Sequence, residues 1–268
     1  MSPITSDNYK DHHPPRSATG RNQLPSAPRA LLTQLHHHST MADEYPQLNH
    51  RARMLKGQTY RGVDADLVAE RAQTRTLLHK YNTTDPADRA TQIAILRELF
   101  RDGVAHLADD EMPEIIPPFA CDYGSNITFG KHCFFNFGAT ILDVCKIHIG
   151  ERVLFGPSVS LYAAEHPISP TARNGPNGPE YGKPITIGND VWIGGGAILV
   201  SGIEVGSGST VGAGSVVTRN VPSMTVAVGN PARVVKKIIE DETYTPDMAW
   251  EEGADPKLVG IARLERPE

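Results

Sequence analysis

The sequence predicts a mainly β solenoid of short strands behind a small helical element, and two observations carry that prediction. Ile187, Ile193, Leu199, Val205, Val211 and Val217 fall six residues apart without a break, and four residues after each comes Val191, Ala197, Ile203, Ser209, Ser215 or Val221. A period of six suits neither an α-helix nor one long strand. It describes a coil of short strands and tight turns, whose inward residue recurs once per side. The composition agrees, because 24 glycines and only 6% aromatic residues leave small and β-branched side chains to fill a core.

Residues 1–43 carry Pro, Ser, Asn, Arg and His with no periodicity, and read as a disordered tail in which His36-His37-His38 is solvated rather than metal-binding. Residues 44–104 read as a short helical hairpin. Leu67, Leu78 and Tyr81 share a face that Arg71 and Arg75 interrupt. A second helix is expected to start at Asp85 as N-cap with Pro86 in its first position, to present Ile93, Leu96 and Phe100, and to end near Gly103. Such a hairpin cannot bury its apolar face alone and must dock on the coil that comes after it.

Residues 105–240 form the coil. Phe129, Phe135, Ile141 and Ile147 repeat the spacing early, and Ile149, Phe155 and Leu161 continue it after a shift of two. Three sides of six make a turn of roughly 18 residues. Gly188, Gly194, Gly206 and Gly212 follow inward positions and are expected at corners that need positive φ. Residues 162–184 interrupt the register with a Pro- and Gly-rich loop that fits neither coil nor helix, and a loop of that length inside a regular solenoid is functional as a rule. After Val221 the chain closes the coil and ends in a basic helix, and residues 241–268 read as a loosely ordered tail.

Composition excludes several classes. No run approaches the ~20 apolar residues of a membrane span, and the first residues lack the apolar stretch of a secretory leader. A net charge of −5 argues against nucleic acid as the main partner. Cys121, Cys133 and Cys145 are too few for a disulfide framework and point to reduced thiols in the cytoplasm.

The loop segment EHPISPTAR, the run KPITIGNDVWIGGGAILVSGIEVGSGSTVGAGSVVTRNVP and the closing VAVGNPARVVKKI resemble the hexapeptide-repeat acyltransferases. The helical stretch MLKGQTYRGVDADLVAERAQTRTLLHKYN narrows the resemblance to the maltose O-acetyltransferase and galactoside O-acetyltransferase group, which includes nodulation acetyltransferases. The resemblance covers residues 44–240. It implies a left-handed parallel β-helix, a homotrimer with active sites between subunits, and acetyl transfer from acetyl-CoA to a hydroxyl.

Acetyl transfer to an alcohol needs a base, an oxyanion donor and a groove for the thioester. The resemblance places the base at His166, in the loop between Glu165 and Pro167. An unperturbed imidazole is mostly neutral at cellular pH and can take the hydroxyl proton, and Glu165 or a nearby carbonyl is expected to set its tautomer. The resemblance puts Asn136 and Asp143 in the acceptor pocket, Asn136 as a donor and Asp143 as an acceptor for sugar hydroxyls. The competing reading makes Asn136 a turn residue and Asp143 a cap. Asp122 and Arg173 are further candidates for substrate binding. For CoA, Gly195, Ala213 and Thr218 match the group's cofactor positions, Trp192 walls the groove, and Arg233, Lys236 and Lys237 supply cations for phosphates.

Two departures weaken a galactoside preference: Gly62, with Arg61 and Asp64 beside it, stands where those enzymes carry an acid, and Val144 stands where they carry a second. No metal is expected, since His132, His148 and His166 lack the H-x4-H spacing of the zinc enzymes built on this coil, although His148 and His166 lie 18 residues apart, one turn. A sugar acceptor such as maltose or glucose is the leading reading. A secondary metabolite as acceptor and a non-catalytic trimeric scaffold remain as alternatives.

Overall fold

The computed structural model describes residues 49–240 and 263–266. The expectations for residues 1–43, including the triple histidine, fall outside the described residues, as do those for most of the C-terminal tail. The described residues form one compact unit.

Three helices open it. Asn49 caps α1 (His50–Leu55) by accepting from the Ala52 N–H at 2.8 Å. Asp64 caps α2 (Ala65–Thr83), which buries Leu67, Leu78 and Tyr81 as its spacing predicts. The third helix, α3 (Arg89–Phe100), begins later than expected. Asp85 accepts from the Ala87 N–H in a local turn, and Asp88 takes over as cap by accepting from Thr91 N–H at 3.0 Å. Leu96, Leu99 and Phe100 then pack on the first coils, so helices and coil share one core.

The coil has three parallel faces. The first stacks Glu114, Phe134, Leu154, Trp192, Thr210 and Val226 in register. The second stacks Ala120, Thr140, Ser160, Ile198 and Val216. Thr128, His148, Thr186 and Glu204 line up on the third. Every six-residue position from Ile187 to Val217 is buried, as are its partners four residues on. Turns of 18 residues hold only in the upper coils (Thr186 to Glu204); the lower ones take 20 (Thr128 to His148), which accounts for the shift of two. The extra residues sit at one corner, between the second and third faces, and residues 163–184 leave the coil there. Inside, Phe100, Phe119, Phe129, Phe135 and Phe155 fill the lower coils, with Phe135 and Phe155 stacked at 3.9 Å, and aliphatic residues fill the upper ones.

The glycines divide into two kinds, which corrects the expectation that all serve positive φ. Gly188 and Gly194 have ordinary φ. A Cβ on either would lie 2.6 Å from the Ser207 nitrogen or 2.5 Å from the Ala213 nitrogen, on the backbone of the next turn. Positive φ falls two residues later, at Gly196, Gly202, Gly208 and Gly214, and at Arg152, Ser158 and Asp190 in the equivalent corners below. Arg152 and Asp190 stack there in a bidentate ion pair at 2.6 and 2.8 Å.

Two closing elements also differ from expectation. Residues Ala232–Ile239 form a strand, not a basic helix, antiparallel to Thr225–Gly229. Their β-branched residues and alternating exposure suit an edge strand rather than a helix face. Arg263–Glu265 adds a further strand on its outer side, inside the stretch read as a loose tail. Among the described residues no helix is long and apolar enough to cross a membrane.

Gly194→Ala forces a methyl group onto backbone and is expected to cost about 3 kcal/mol. Gly214→Ala meets nothing within 4 Å and bears only the left-handed penalty of about 1 kcal/mol. Denaturant unfolding of the two variants checks that order; the reverse order would refute the close-approach role of Gly194.

Candidate active site

The loop leaves the coil as a two-stranded ribbon, in which Ala164–Glu165 pairs antiparallel with Tyr181–Gly182. Successive side chains on a strand point to opposite sides, and this separates Glu165 from His166. The Glu165 carboxylate turns inward, accepts from the Ser201 hydroxyl and pairs with Lys183 Nζ at 3.1 Å. Burial alone would raise its pKa, but hydrogen bonds from Ser201, Tyr181 and Lys183 outweigh that and hold it below the usual carboxylate range. Glu165 therefore anchors the ribbon, with Ser201 and Lys183 as its partners rather than His166. His166 is exposed at the ribbon's end. Beyond it Ser169 caps a single helical turn, α4 (Pro170–Arg173), in a loop read from sequence as helix-free. Arg173 folds back toward the Pro167 and Ile168 carbonyls, both at 3.4 Å, so it shapes the loop that carries His166.

The corner below the ribbon holds Asp122 and Asp143. Asp143 is completely buried, and its Oδ1 accepts from the backbone N–H groups of Asp122 (3.0 Å) and Tyr123 (2.9 Å). Oδ2 meets no donor among the described residues. This carboxyl faces the backbone of the turn beneath it. Its place is that of a positioning residue for Asp122 and Tyr123, close to the cap of the competing reading. Burial pushes its pKa up to about 7. Asp122 is half-buried. Burial raises its pKa, Arg71 and Arg75 lower it, and the charge of Glu180 raises it.

Asn136 lies at the other end of the second face, at the corner between the first and second faces. Its Oδ1 accepts from the Phe137 N–H at 2.8 Å, so it serves the turn, while the amide hydrogens stay available as donors. The register stacks Gly195 and Ala213 on that same corner, above Phe137 and Pro157. Trp192 stands half-exposed on the adjoining first face. Thr218 does not join them: its register puts it on the corner of Asp122 and the loop. Arg233 and Lys236 lie on the closing strand, opposite Val228 and Val226. A single chain thus distributes the expected residues over two corners a full face apart, with Asn136, Gly195 and Ala213 on one and His166, Asp122 and Thr218 on the other.

Sequence reasoning missed Tyr60, Tyr123 and Glu180, and took Arg71 for a mere interruption of a helix face. Arg71 donates to the Tyr123 hydroxyl (2.6 Å) and the Gly62 carbonyl (2.5 Å), tying α2 to the corner. The buried polar file itself was detectable, since Ile141, Asp143 and Cys145 alternate inward like the apolar residues around them. Val144 packs with Met54, Tyr60, Leu67 and Tyr123 beneath the helices. His148 hydrogen-bonds Thr128 at 2.9 Å and aligns with Thr128 and Thr186, so it does not stack on His166. No group of three His, Cys, Asp or Glu among the described residues is placed to hold a metal ion.

The buried Asp143 has a pH signature. With a native pKa of about 7 against roughly 3.9 unfolded, its native state favours the protonated form. That contribution is complete below about pH 4 and is lost as pH rises through 7. Compared with Asp143→Asn, the wild type should lose melting temperature steadily from pH 4 to pH 8. A relative gain over that range would contradict the assignment.

Residues 53–102 match the maltose acetyltransferase hexapeptide capping motif, and residues 184–219 match the bacterial transferase hexapeptide (six repeats). Nodulation protein L of Rhizobium meliloti (strain 1021) is 43% identical over 184 residues, covering 69% of this chain and 96% of its own length. A maltose O-acetyltransferase from Clostridium difficile 630 superposes with a TM-score of 0.67 at 43% identity, covering 72% of this chain and 99% of that one. A hexapeptide-repeat-containing acetyltransferase from Vibrio cholerae O1 biovar eltor, solved with acetyl coenzyme A, reaches a TM-score of 0.63 at 37% identity over 71% of this chain and 98% of its own. A coil of six-residue sides, a helical element closing its lower end and relatives of this kind together show that the chain belongs to the hexapeptide-repeat acyltransferase family, in its maltose/galactoside O-acetyltransferase group, and is a CoA-dependent acyltransferase.

Proposed function

We propose that the enzyme transfers acetyl from acetyl-CoA to a hydroxyl of a sugar such as maltose or glucose, with His166 as general base. The observation that carries this reading is the Glu165 anchor, which ties the ribbon to the coil and leaves the next side chain, His166, exposed. An imidazole nitrogen takes the proton as the acceptor oxygen attacks the thioester carbonyl carbon. The amide of Asn136 donates to the oxyanion of the tetrahedral intermediate. Collapse breaks the carbon–sulfur bond, and the departing CoA thiolate receives the proton from the imidazolium.

Transfer is direct, through a ternary complex. Burial pushes the thiols of Cys121, Cys133 and Cys145 up, Cys133 to about 11, which leaves none of them suited to carry an acyl group. The same free, buried thiols favour a reducing compartment, the cytoplasm. Gly195 and Ala213 open the slot for pantetheine between coils, beside Trp192. Arg233 and Lys236 supply charge for the CoA phosphates.

The separation of Asn136 and His166 by a whole face supports an active site shared between neighbouring chains, and with it a homotrimer. Relatives named as maltose and galactoside O-acetyltransferases support a sugar acceptor. Gly62 and Val144 favour the maltose type.

The test is thiol release from acetyl-CoA with a panel of sugars, wild type beside His166→Ala. Turnover should fall at least ~100-fold in the variant, while acetyl-CoA affinity changes less than about twofold. Equal turnover in both proteins would remove His166 from the chemistry. Acetyl-CoA binding without release on any sugar would redirect the acceptor to other hydroxyl compounds.

A further inference from the structure

Glu180 closes the loop just before the ribbon returns to the coil. Its backbone exchanges two hydrogen bonds with Tyr60, Tyr60 N–H to the Glu180 carbonyl at 2.9 Å and Glu180 N–H to the Tyr60 carbonyl at 3.0 Å. The Tyr60 hydroxyl donates to Oε2 at 2.8 Å. Burial and this carboxylate together drive the Tyr60 phenol far above its ordinary range, so it stays a protonated donor. The side chain of Glu180 is therefore held, not free to swing.

Its other oxygen is different. Oε1 accepts no hydrogen bond from any described residue and lies over Gly62, where an added Cβ would collide with the carboxylate. The missing side chain at Gly62 is what makes room for it. Asp122 lies on the same side: the next residue, Tyr123, packs in one cluster with Tyr60, and Arg71 links the Tyr123 hydroxyl to the Gly62 carbonyl. Arg71 acts on Asp122 by its charge and directs one N–H to the Tyr123 hydroxyl and one to the Gly62 carbonyl. The two half-buried carboxylates thus lie near one another, and as carboxylates each offers acceptors, which suits a ligand that brings hydroxyl donors.

Resting on the sugar reading above, we infer that Glu180 is a specificity-determining residue of the acceptor site: Oε1, with the carboxyl of Asp122, accepts hydrogen bonds from hydroxyls other than the one acetylated. The acceptor class is a molecule with neighbouring free hydroxyls.

Steady-state kinetics with acetyl-CoA and maltose or glucose test this. Glu180→Gln keeps the shape and an acceptor for Tyr60, and should raise the sugar KM ~10- to 100-fold, as expected for a lost hydrogen bond to a charged group. The acetyl-CoA KM and kcat should stay within about twofold. In Glu180→Ala/Gly62→Asp the carboxylate is supplied from the facing residue, and the sugar KM should return toward the wild-type value, well below that of Glu180→Ala alone. A purely structural Glu180 would show an unchanged sugar KM in Glu180→Gln, or no recovery in the double variant, and either result overturns the inference. A wild type that acetylates no sugar overturns the sugar reading as well, which separates the two failures.

Discussion

Everything in this molecule hangs on how closely one turn of backbone lies on the next. The parallel ladders set that spacing along the faces, and the corners must match it, which is why Gly188 and Gly194 carry no side chain where Ser207 and Ala213 pass above them. Where the corner turns through positive φ, the constraint is conformational rather than steric, and Arg152, Ser158 and Asp190 meet it at the modest cost of the left-handed region. The two demands fall two residues apart.

Such a coil tolerates an insertion at a corner but nowhere along a face, because the hydrogen bonds of a face are all in use. The corner between the second and third faces carries the extra residues of the lower turns, the buried Asp143 and the ribbon bearing His166. The ribbon is fixed from three sides: Ser201 and Lys183 grip Glu165, and Tyr60 grips Glu180 from the helical element. This explains why a small helical piece precedes the coil. It plugs the lower end with Leu96, Leu99 and Phe100, and it also braces the far side of the loop.

Much of this was legible in sequence, and the exceptions share a cause. The six-residue spacing reports contacts between successive sides and turns, so the inward file from Ile187 to Val217 and the broken interval after Leu161 were plain. Contacts that skip along the chain leave no such trace: Tyr60 and Glu180 are 120 residues apart, and neither has a periodic partner. The Asp85 cap failed because a second aspartate three residues on competed for the same task. The closing strand failed because Val-Val-Lys-Lys-Ile-Ile satisfies a helical reading of charge while its β-branched content favours extension. Asp143 was read as an acceptor-pocket residue or a cap, and its alternation with Ile141 and Cys145 already pointed inward.

The antiparallel turn at the top has a further consequence. A parallel solenoid cut off square would present a row of unpaired amides and carbonyls, shaped to accept an identical coil from another molecule and so to grow end on end. Here the chain doubles back at residues 229–232 and lays Ala232–Ile239 along the outside of Thr225–Gly229, with Arg263–Glu265 beyond it. The helices block the opposite end. A protein made of stackable units is thereby kept from stacking on its neighbours, and the reversal of strand direction in its last residues keeps a repeating architecture from becoming a fibre.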